Sequence, residues 1–184
     1  ISEIAGDTKG YSYDSHFWTL EVNIKDEGGK LAIESKTYTQ TEEGKPAGVI
    51  STDQAEFTNI YDPEQTTYTP QIRKEITGDL TSEDAVFDFT LTPDSQNPNG
   101  ASLTAPDISR TSVTGENVAR FDAITFTEAG TYRFILGEEE GTEAGYTYDE
   151  SERELEIVVE DEDGFLRVTE HTYTKTDDEG KEVT

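Results

Sequence analysis

Three polar residues occupy strand positions where the surrounding sequence pattern favours an apolar side chain. Lys74 lies between Ile72 and Ile76. Residues two apart on a strand point to the same face, so we expect this lysine to point into the core. Asn59 interrupts one alternating apolar run in the same way, and Glu138 ends another. Because an unpaired charge is costly to bury, these groups are expected to be buried together.

A lysine, an asparagine and a glutamate that are buried together can form a covalent bond. Burial disfavours the charged forms of an amine and a carboxyl group, so Lys74 is expected to be a neutral nucleophile and Glu138 a protonated acid. The acid would polarise the carboxamide of Asn59, the amine would attack its carbon, and ammonia would leave. The product is a Lys–Asn isopeptide bond. Because this is a single turnover of the protein on itself, we do not expect an enzyme.

An internal repeat relates two parts of the chain at an offset of 135 residues. The segment Gly10–Asp14 reads GYSYD, and Gly145–Asp149 reads GYTYD. The match continues without a gap through the two strands that follow each segment. It also places Glu3 at the position of Glu138, and of the acidic run that begins at Glu138 only the first acid recurs. Glu3 is therefore expected to have the same catalytic role.

Alternating apolar and polar residues dominate the chain and predict antiparallel strands. Leu155, Ile157 and Val159, for example, alternate with polar or smaller neighbours, and short runs of this kind end at Gly, Asn and Asp turns such as Asp163-Gly164. No long amphipathic helical pattern is present. Many short strands at regular spacing predict an all-β sandwich.

The repeat also predicts the domain organisation. Residues 1–61 are expected to be the C-terminal half of one repeat domain, and residues 66–184 a second repeat domain that lacks its last strand. Residues 62–65 would form a short linker. Because this linker contains a proline, it favours a semi-rigid rod over a flexible tether.

Composition excludes several classes of partner. The 184 residues carry a net charge of −27, and a field of that sign repels nucleic acid and anionic membranes. The chain has no cysteine, which excludes disulfides and thiolate metal sites. We expect neither a cofactor nor a metal.

Several stretches resemble the streptococcal FctA-type pilin isopeptide-linkage domain. They follow that domain's order when the chain is read as half of one repeat domain plus most of a second. They are Ile72–Gly78, Phe121–Tyr132, Glu138, Gly145–Asp149 and Phe57–Asn59. The resemblance implies tandem immunoglobulin-like (CnaB-like) β-sandwich domains whose first and last strands are joined by a spontaneous isopeptide bond. It implies Lys74 as nucleophile, Glu3 and Glu138 as catalytic acids, and Asn59 as acceptor.

The same resemblance implies a structural role outside the cell. The chain would be a stalk repeat or pilus-shaft subunit at the surface or cell wall of a Gram-positive bacterium. Its partners would be neighbouring repeats or subunits of the same filament, and any host ligand would bind other domains.

The sequence departs from this pattern because neither predicted domain holds all three residues. The first has Glu3 and Asn59, and the second has Lys74 and Glu138. Two explanations remain open. The chain could be cut from a tandem array, or Lys74 of one chain could meet Asn59 of another by strand exchange.

Two other functions remain alternatives. A plain immunoglobulin-like repeat would have no cross-link. A glycan- or protein-binding module would use an exposed aromatic cluster or a calcium loop, for which Phe17, Trp18 and the insert Thr41–Gln54 are the places to look. The acidic turns near residues 25–29 and 161–164 lack the full calcium-loop spacing and are read as hairpin turns.

Overall fold

A computed structural model describes residues 1–41, 51–52, 54–78, 84–176 and 182–183. These residues form β-strands and connecting loops, with no helix among them. The all-β class predicted from the alternating pattern is therefore confirmed. The chain divides into two compact units, Ile1–Asp62 and Pro63–Thr184. None of the described residues forms a helix that is long and apolar enough to cross a membrane.

The first unit contains two small antiparallel sheets. Strands β2, β3 and β4 form one sheet in that order, and β1 pairs with β5 in the other. The β1–β5 pair brings the end of the unit back beside its start, with Tyr11 opposite Tyr61. The strands are β1 (Tyr11–Ser12), β2 (Phe17–Asp26), β3 (Leu31–Thr41), β4 (Ser51–Thr52) and β5 (Ile60–Tyr61).

The second unit is organised around a six-stranded antiparallel sheet. Its strand order is β15-β14-β13-β12-β8-β9, and two short pairs, β7–β10 and β6–β11, complete the unit. The strands are β6 (Thr66–Tyr68), β7 (Gln71–Arg73), β8 (Val86–Pro93), β9 (Ser109–Thr114), β10 (Val118–Arg120), β11 (Ile124–Phe126), β12 (Gly130–Glu138), β13 (Arg153–Glu162), β14 (Phe165–Thr176) and β15 (Glu182–Val183).

The hairpins β2–β3 and β13–β14 share the same turn chemistry. In the first, the Gly29 N–H donates to Asp26 Oδ1 over 2.7 Å. In the second, the Gly164 N–H donates to Asp161 Oδ1 over 2.9 Å. Both glycines have positive φ, which a side chain disfavours. The register of each hairpin also shifts at the equivalent position, Asn23/Ile24 and Val158/Val159.

The core of the second unit follows the predicted alternation. Leu155, Ile157 and Val159 on β13 are at most 2% exposed and pack with inward residues of β8 and β12. Tyr132 is fully buried and donates its hydroxyl to the Glu128 carbonyl over 2.9 Å, so its polar end is satisfied. This core supports β12, which ends at Glu138.

The equivalent face of the first unit is open in the described part of the chain. Its apolar residues on β2 and β3 are 40% to 79% exposed, namely Leu20, Val22, Ile24 and Leu31. Their repeat equivalents are at most 4% exposed, namely Leu155, Ile157, Val159 and Leu166. The same apolar pattern is therefore covered in one unit and exposed in the other.

Candidate functional site

Lys74 and Glu138 form a buried ion pair in the second unit. The Lys74 Nζ donates to both carboxylate oxygens of Glu138, over 2.7 and 2.9 Å. The side chains are only 11% and 4% exposed. Such a pair loses most of its hydration, so its geometry must be good for the charges to be tolerated.

Two short elements aim the Lys74 side chain. The residue directly follows β7, and its N–H donates to the Asn117 carbonyl over 2.9 Å, which continues the pairing of β7 with the strand β10. Ile72 and Ile76 pack against the core on either side. The Nζ lies 4.3 Å from the centroid of the Phe87 ring, whose face attracts a cation.

Glu3 and Asn59 meet in the first unit. The Asn59 Nδ2 donates to Glu3 Oε1 over 2.7 Å. The Asn59 Oδ1 accepts the main-chain N–H of Asp14 over 3.0 Å. Asn59 is exposed, which differs from the buried position expected from its strand phase. The reason is that the apolar face of this unit is open in the described residues.

The hydrogen bonds fix which end of the Asn59 carboxamide faces which group. A main-chain N–H can only donate, so the carbonyl oxygen must face Asp14. The amide nitrogen then faces Glu3. The sequence predicts that the acid polarises the carboxamide, and in the structure the carboxylate contacts the nitrogen that would leave.

The two glutamates therefore display complementary halves of one arrangement. Glu138 contacts the lysine amine, and Glu3 contacts the asparagine amide. The second oxygen of Glu3 is buried and has no hydrogen-bond partner among the described residues. In Glu138 both oxygens accept hydrogen bonds from Lys74. Each pair lies within its own unit.

A glycine and a tyrosine shape the loop after each glutamate. A β-carbon at Gly6 would lie 2.5 Å from the Tyr13 hydroxyl, and one at Gly141 would lie 2.5 Å from the Tyr148 hydroxyl. Only glycine allows this approach. Sequence reasoning interpreted the repeat tyrosines as core and corner aromatics and did not predict their close contact with the two glycines.

Sequence reasoning also missed the aspartate that ends each repeat motif. Asp14 accepts hydrogen bonds from the N–H groups of His16 and Thr58, over 2.8 Å each. The bond from Thr58, followed by that from His16, lowers the pKa of Asp14. Asp149 occupies the equivalent position, and its N–H donates to Glu138 Oε2 over 2.9 Å.

Hydrogen bonds also control the charge of Asp149. Burial alone would raise the pKa of this carboxyl group, but hydrogen bonds from Ser151 and Arg153 outweigh burial and lower the pKa to about 2. Asp149 is therefore ionised at neutral pH.

Among the features considered for ligand binding, Trp18 has a structural role. Trp18 is 4% exposed, and its Nε1 donates to the Glu56 carbonyl, so it does not form an exposed platform. Phe17 is 46% exposed. Most of the insert Thr41–Gln54 lies outside the described residues. Within the described ranges, no three His, Cys, Asp or Glu side chains are grouped to hold a metal.

The described strands define this chain as an all-β protein. A family model for FctA, described as a Spy0128-like isopeptide-containing domain, matches residues 1–62 and 70–182. The chain belongs to this family of pilin-like isopeptide-containing domains. No curated protein matches it.

Proposed function

We propose that the chain is a stalk repeat or shaft subunit of a Gram-positive pilus or surface adhesin, stabilised by self-formed Lys–Asn isopeptide bonds. The observation that carries this proposal is the pair of contacts made at one repeat position. Glu138 binds the amine of Lys74, and its equivalent Glu3 binds the carboxamide of Asn59. One glutamate position thus recognises both reactants.

The contacts support a role for the glutamate as a proton shuttle. The carboxylate takes a proton from the lysine amine, which becomes nucleophilic and attacks the asparagine carbon. The same group then delivers this proton to the amide nitrogen, which leaves as ammonia, and it takes up the second proton of the lysine nitrogen as the new amide forms. Lys74 is the proposed nucleophile, Asn59 the acceptor, and Glu3 and Glu138 the catalytic groups. The reaction occurs once per domain.

We further propose that each unit is one part of a repeat domain. Residues 1–61 would be the C-terminal half of one domain, 62–65 the linker, and 66–184 most of a second. The open apolar face of the first unit supports this, because the same face is covered in the second by residues that precede β13. Among the described strands none pairs with residues 146–147, whereas the equivalent β1 pairs with β5.

A bond between the first and last strands suits a protein that bears tension. Pulling force would pass through the covalent link rather than through strand hydrogen bonds. The bond would also close a loop of more than about a hundred residues, which by analogy with disulfides removes roughly 4–5 kcal/mol of unfolded-state entropy. The proposed partners are neighbouring repeats or subunits, and the proposed location is the outer cell surface.

A rearranged chain tests the proposal with this sequence alone. Joining residues 63–135 in front of residues 1–62 follows the repeat and places Lys74, Glu3 and Asn59 in one domain. We expect its denatured mass to be short by one ammonia. Glu3→Gln should retain the full mass, while Glu21→Gln, an exposed change on β2, should not. A folded rearranged chain with full mass would contradict the proposed bond.

A further inference from the structure

We propose that the main-chain N–H of Asp14 stabilises the oxyanion that forms on Asn59 during bond formation, and that the Asp14 carboxylate positions this donor. The inference rests on the proposed isopeptide reaction. It assigns a catalytic contact to a main-chain group and a positioning role to a side chain outside the lysine, glutamate and asparagine set.

The donor already occupies the right place before reaction. The Asp14 nitrogen lies 3.0 Å from Asn59 Oδ1, within the range at which a donor stabilises a developing oxyanion. The other end of the carboxamide is held by Glu3 at 2.7 Å. The electrophilic carbon therefore lies between an oxyanion donor on one side and a proton shuttle on the other.

The Asp14 side chain also holds the main chain next to the acceptor asparagine. Its Oδ2 accepts the N–H of Thr58, the residue before Asn59, over 2.8 Å. Its Oδ1 accepts the N–H of His16 over 2.8 Å and contacts His16 Nδ1 at 2.6 Å. The carboxylate is only 7% exposed. Main chain and side chain of one residue thus hold the carbonyl oxygen and the backbone of the acceptor segment.

The second unit shows what the same donor does with a different acceptor. The Asp149 N–H donates to Glu138 Oε2 over 2.9 Å, and Asp149 Oδ1 accepts the Ser151 N–H as Asp14 Oδ1 accepts that of His16. The turn is therefore built alike in both units. When an asparagine oxygen takes the N–H, one glutamate oxygen loses that hydrogen bond, as Glu3 Oε2 illustrates. That oxygen is then available to the lysine amine.

The reaction balances with these groups alone. The neutral lysine nitrogen bonds to Cγ of Asn59, and the carbonyl electron pair moves to Oδ1, where the Asp14 N–H stabilises it. The glutamic acid, which was protonated when it took the first lysine proton, gives that proton to Nδ2 and then accepts the second proton of the lysine nitrogen. The electron pair returns from Oδ1, the Cγ–Nδ2 bond breaks, and ammonia leaves.

The rate of bond formation in the rearranged chain described above tests the inference. Asp14→Asn keeps the N–H and an acceptor for His16, but its NH2 group cannot accept the Thr58 N–H. We expect the loss of ammonia, followed by intact mass at intervals after synthesis, to slow by roughly ten- to a hundredfold. His16→Ala keeps the two main-chain N–H groups that donate to the Asp14 carboxylate, those of residue 16 and Thr58. This variant should react at nearly the wild-type rate. Hydrogen exchange of the β2–β3 hairpin checks that the fold is retained.

A second measurement on the 184-residue chain does not depend on turnover. Asn59→Leu preserves bulk but removes the acceptor, so the Asp14 amide proton should exchange with solvent at least about tenfold faster and shift upfield. Unchanged exchange, or an Asp14→Asn variant that reacts at the wild-type rate, would overturn the inference and leave the proposed function intact. A folded rearranged chain without these substitutions that keeps its ammonia would overturn both.

Discussion

The buried pair of Lys74 and Glu138 gives the sharpest stability prediction. Glu138→Gln removes the negative charge at nearly constant volume and leaves a lysine that is 11% exposed beside an amide. The remaining carbonyl oxygen can still accept from both the Lys74 amine and the Asp149 N–H, as Glu138 Oε2 does, but the NH2 group that replaces Oε1 cannot accept the second hydrogen bond from the amine. Breaking a buried pair in this way costs about 3–5 kcal/mol.

A double-mutant cycle separates the pair from its environment. Lys74→Met alone leaves the Glu138 carboxylate buried at 4% exposure and should cost a similar amount. Combining it with Glu138→Leu removes both charges, so most of the loss should be recovered. The Asp149 N–H then loses its acceptor, which leaves a deficit of about 1 kcal/mol. With Glu138→Leu as the matching single change, each single variant loses about 3–5 kcal/mol, so the coupling free energy should be at least about 5 kcal/mol, above the usual range for residues in contact.

The matched control is the pair of Arg133 and Glu156 on the neighbouring strands β12 and β13. Its atoms approach to 2.6 Å, but the side chains are 48% and 37% exposed. Glu156→Gln should change the free energy of unfolding by less than about 1 kcal/mol. Hydrogen exchange of the β12 and β13 amides reports on the second unit. If Glu138→Gln costs no more than Glu156→Gln, the pair is not desolvated and our reason for treating Lys74 as a reactant is refuted.

Two further predictions concern the loop between the glutamate and the aspartate. Gly141→Ala should destabilise the second unit by about 1–3 kcal/mol in urea unfolding, because its β-carbon would lie 2.5 Å from the Tyr148 hydroxyl. Gly137→Ala, whose β-carbon would meet its nearest atom at 3.7 Å, should be close to neutral. The pKa of Asp149 is lowered to about 2 in the folded state, so its stabilisation is complete above about pH 4 and is lost as the pH falls towards 2. Asp149→Asn should flatten this acid limb of the stability curve by about 1 kcal/mol, a value discounted because the side chain is 40% exposed; an unchanged acid limb would contradict the assignment.

Strand phase and the repeat predicted the parts of the molecule that depend on periodicity. Side chains alternate between the faces of a strand, so the inward positions of Leu155 and Ile157 followed from the sequence. Lys74 lies between two residues packed on the core for the same reason. Asn59 did not follow the rule, because a side chain is buried only when something covers its face, and period two does not describe what covers it.

The roles of the loop residues were beyond the reach of that reasoning. Asp14 follows a two-residue strand, where no alternation exists to assign its direction. Its carboxylate also binds Thr58, a contact between residues 44 apart that local sequence does not specify. The repeat marked the aspartate and the glycine before it as recurring residues, but recurrence alone does not distinguish a turn cap from a group that holds a reactant.

The direction of the Asn59 carboxamide has the largest consequence for mechanism. If the glutamate polarised the carbonyl oxygen, it would have to remain protonated while the lysine also lost a proton. With an N–H group on that oxygen, the carboxylate is free to accept from one nitrogen and donate to the other. The Lys74 contact and the Asn59 contact, each 2.7 Å from an equivalent glutamate, fit this second scheme. An ionised glutamate beside a charged lysine is then a competent starting state, because a single proton transfer produces both the nucleophile and the acid.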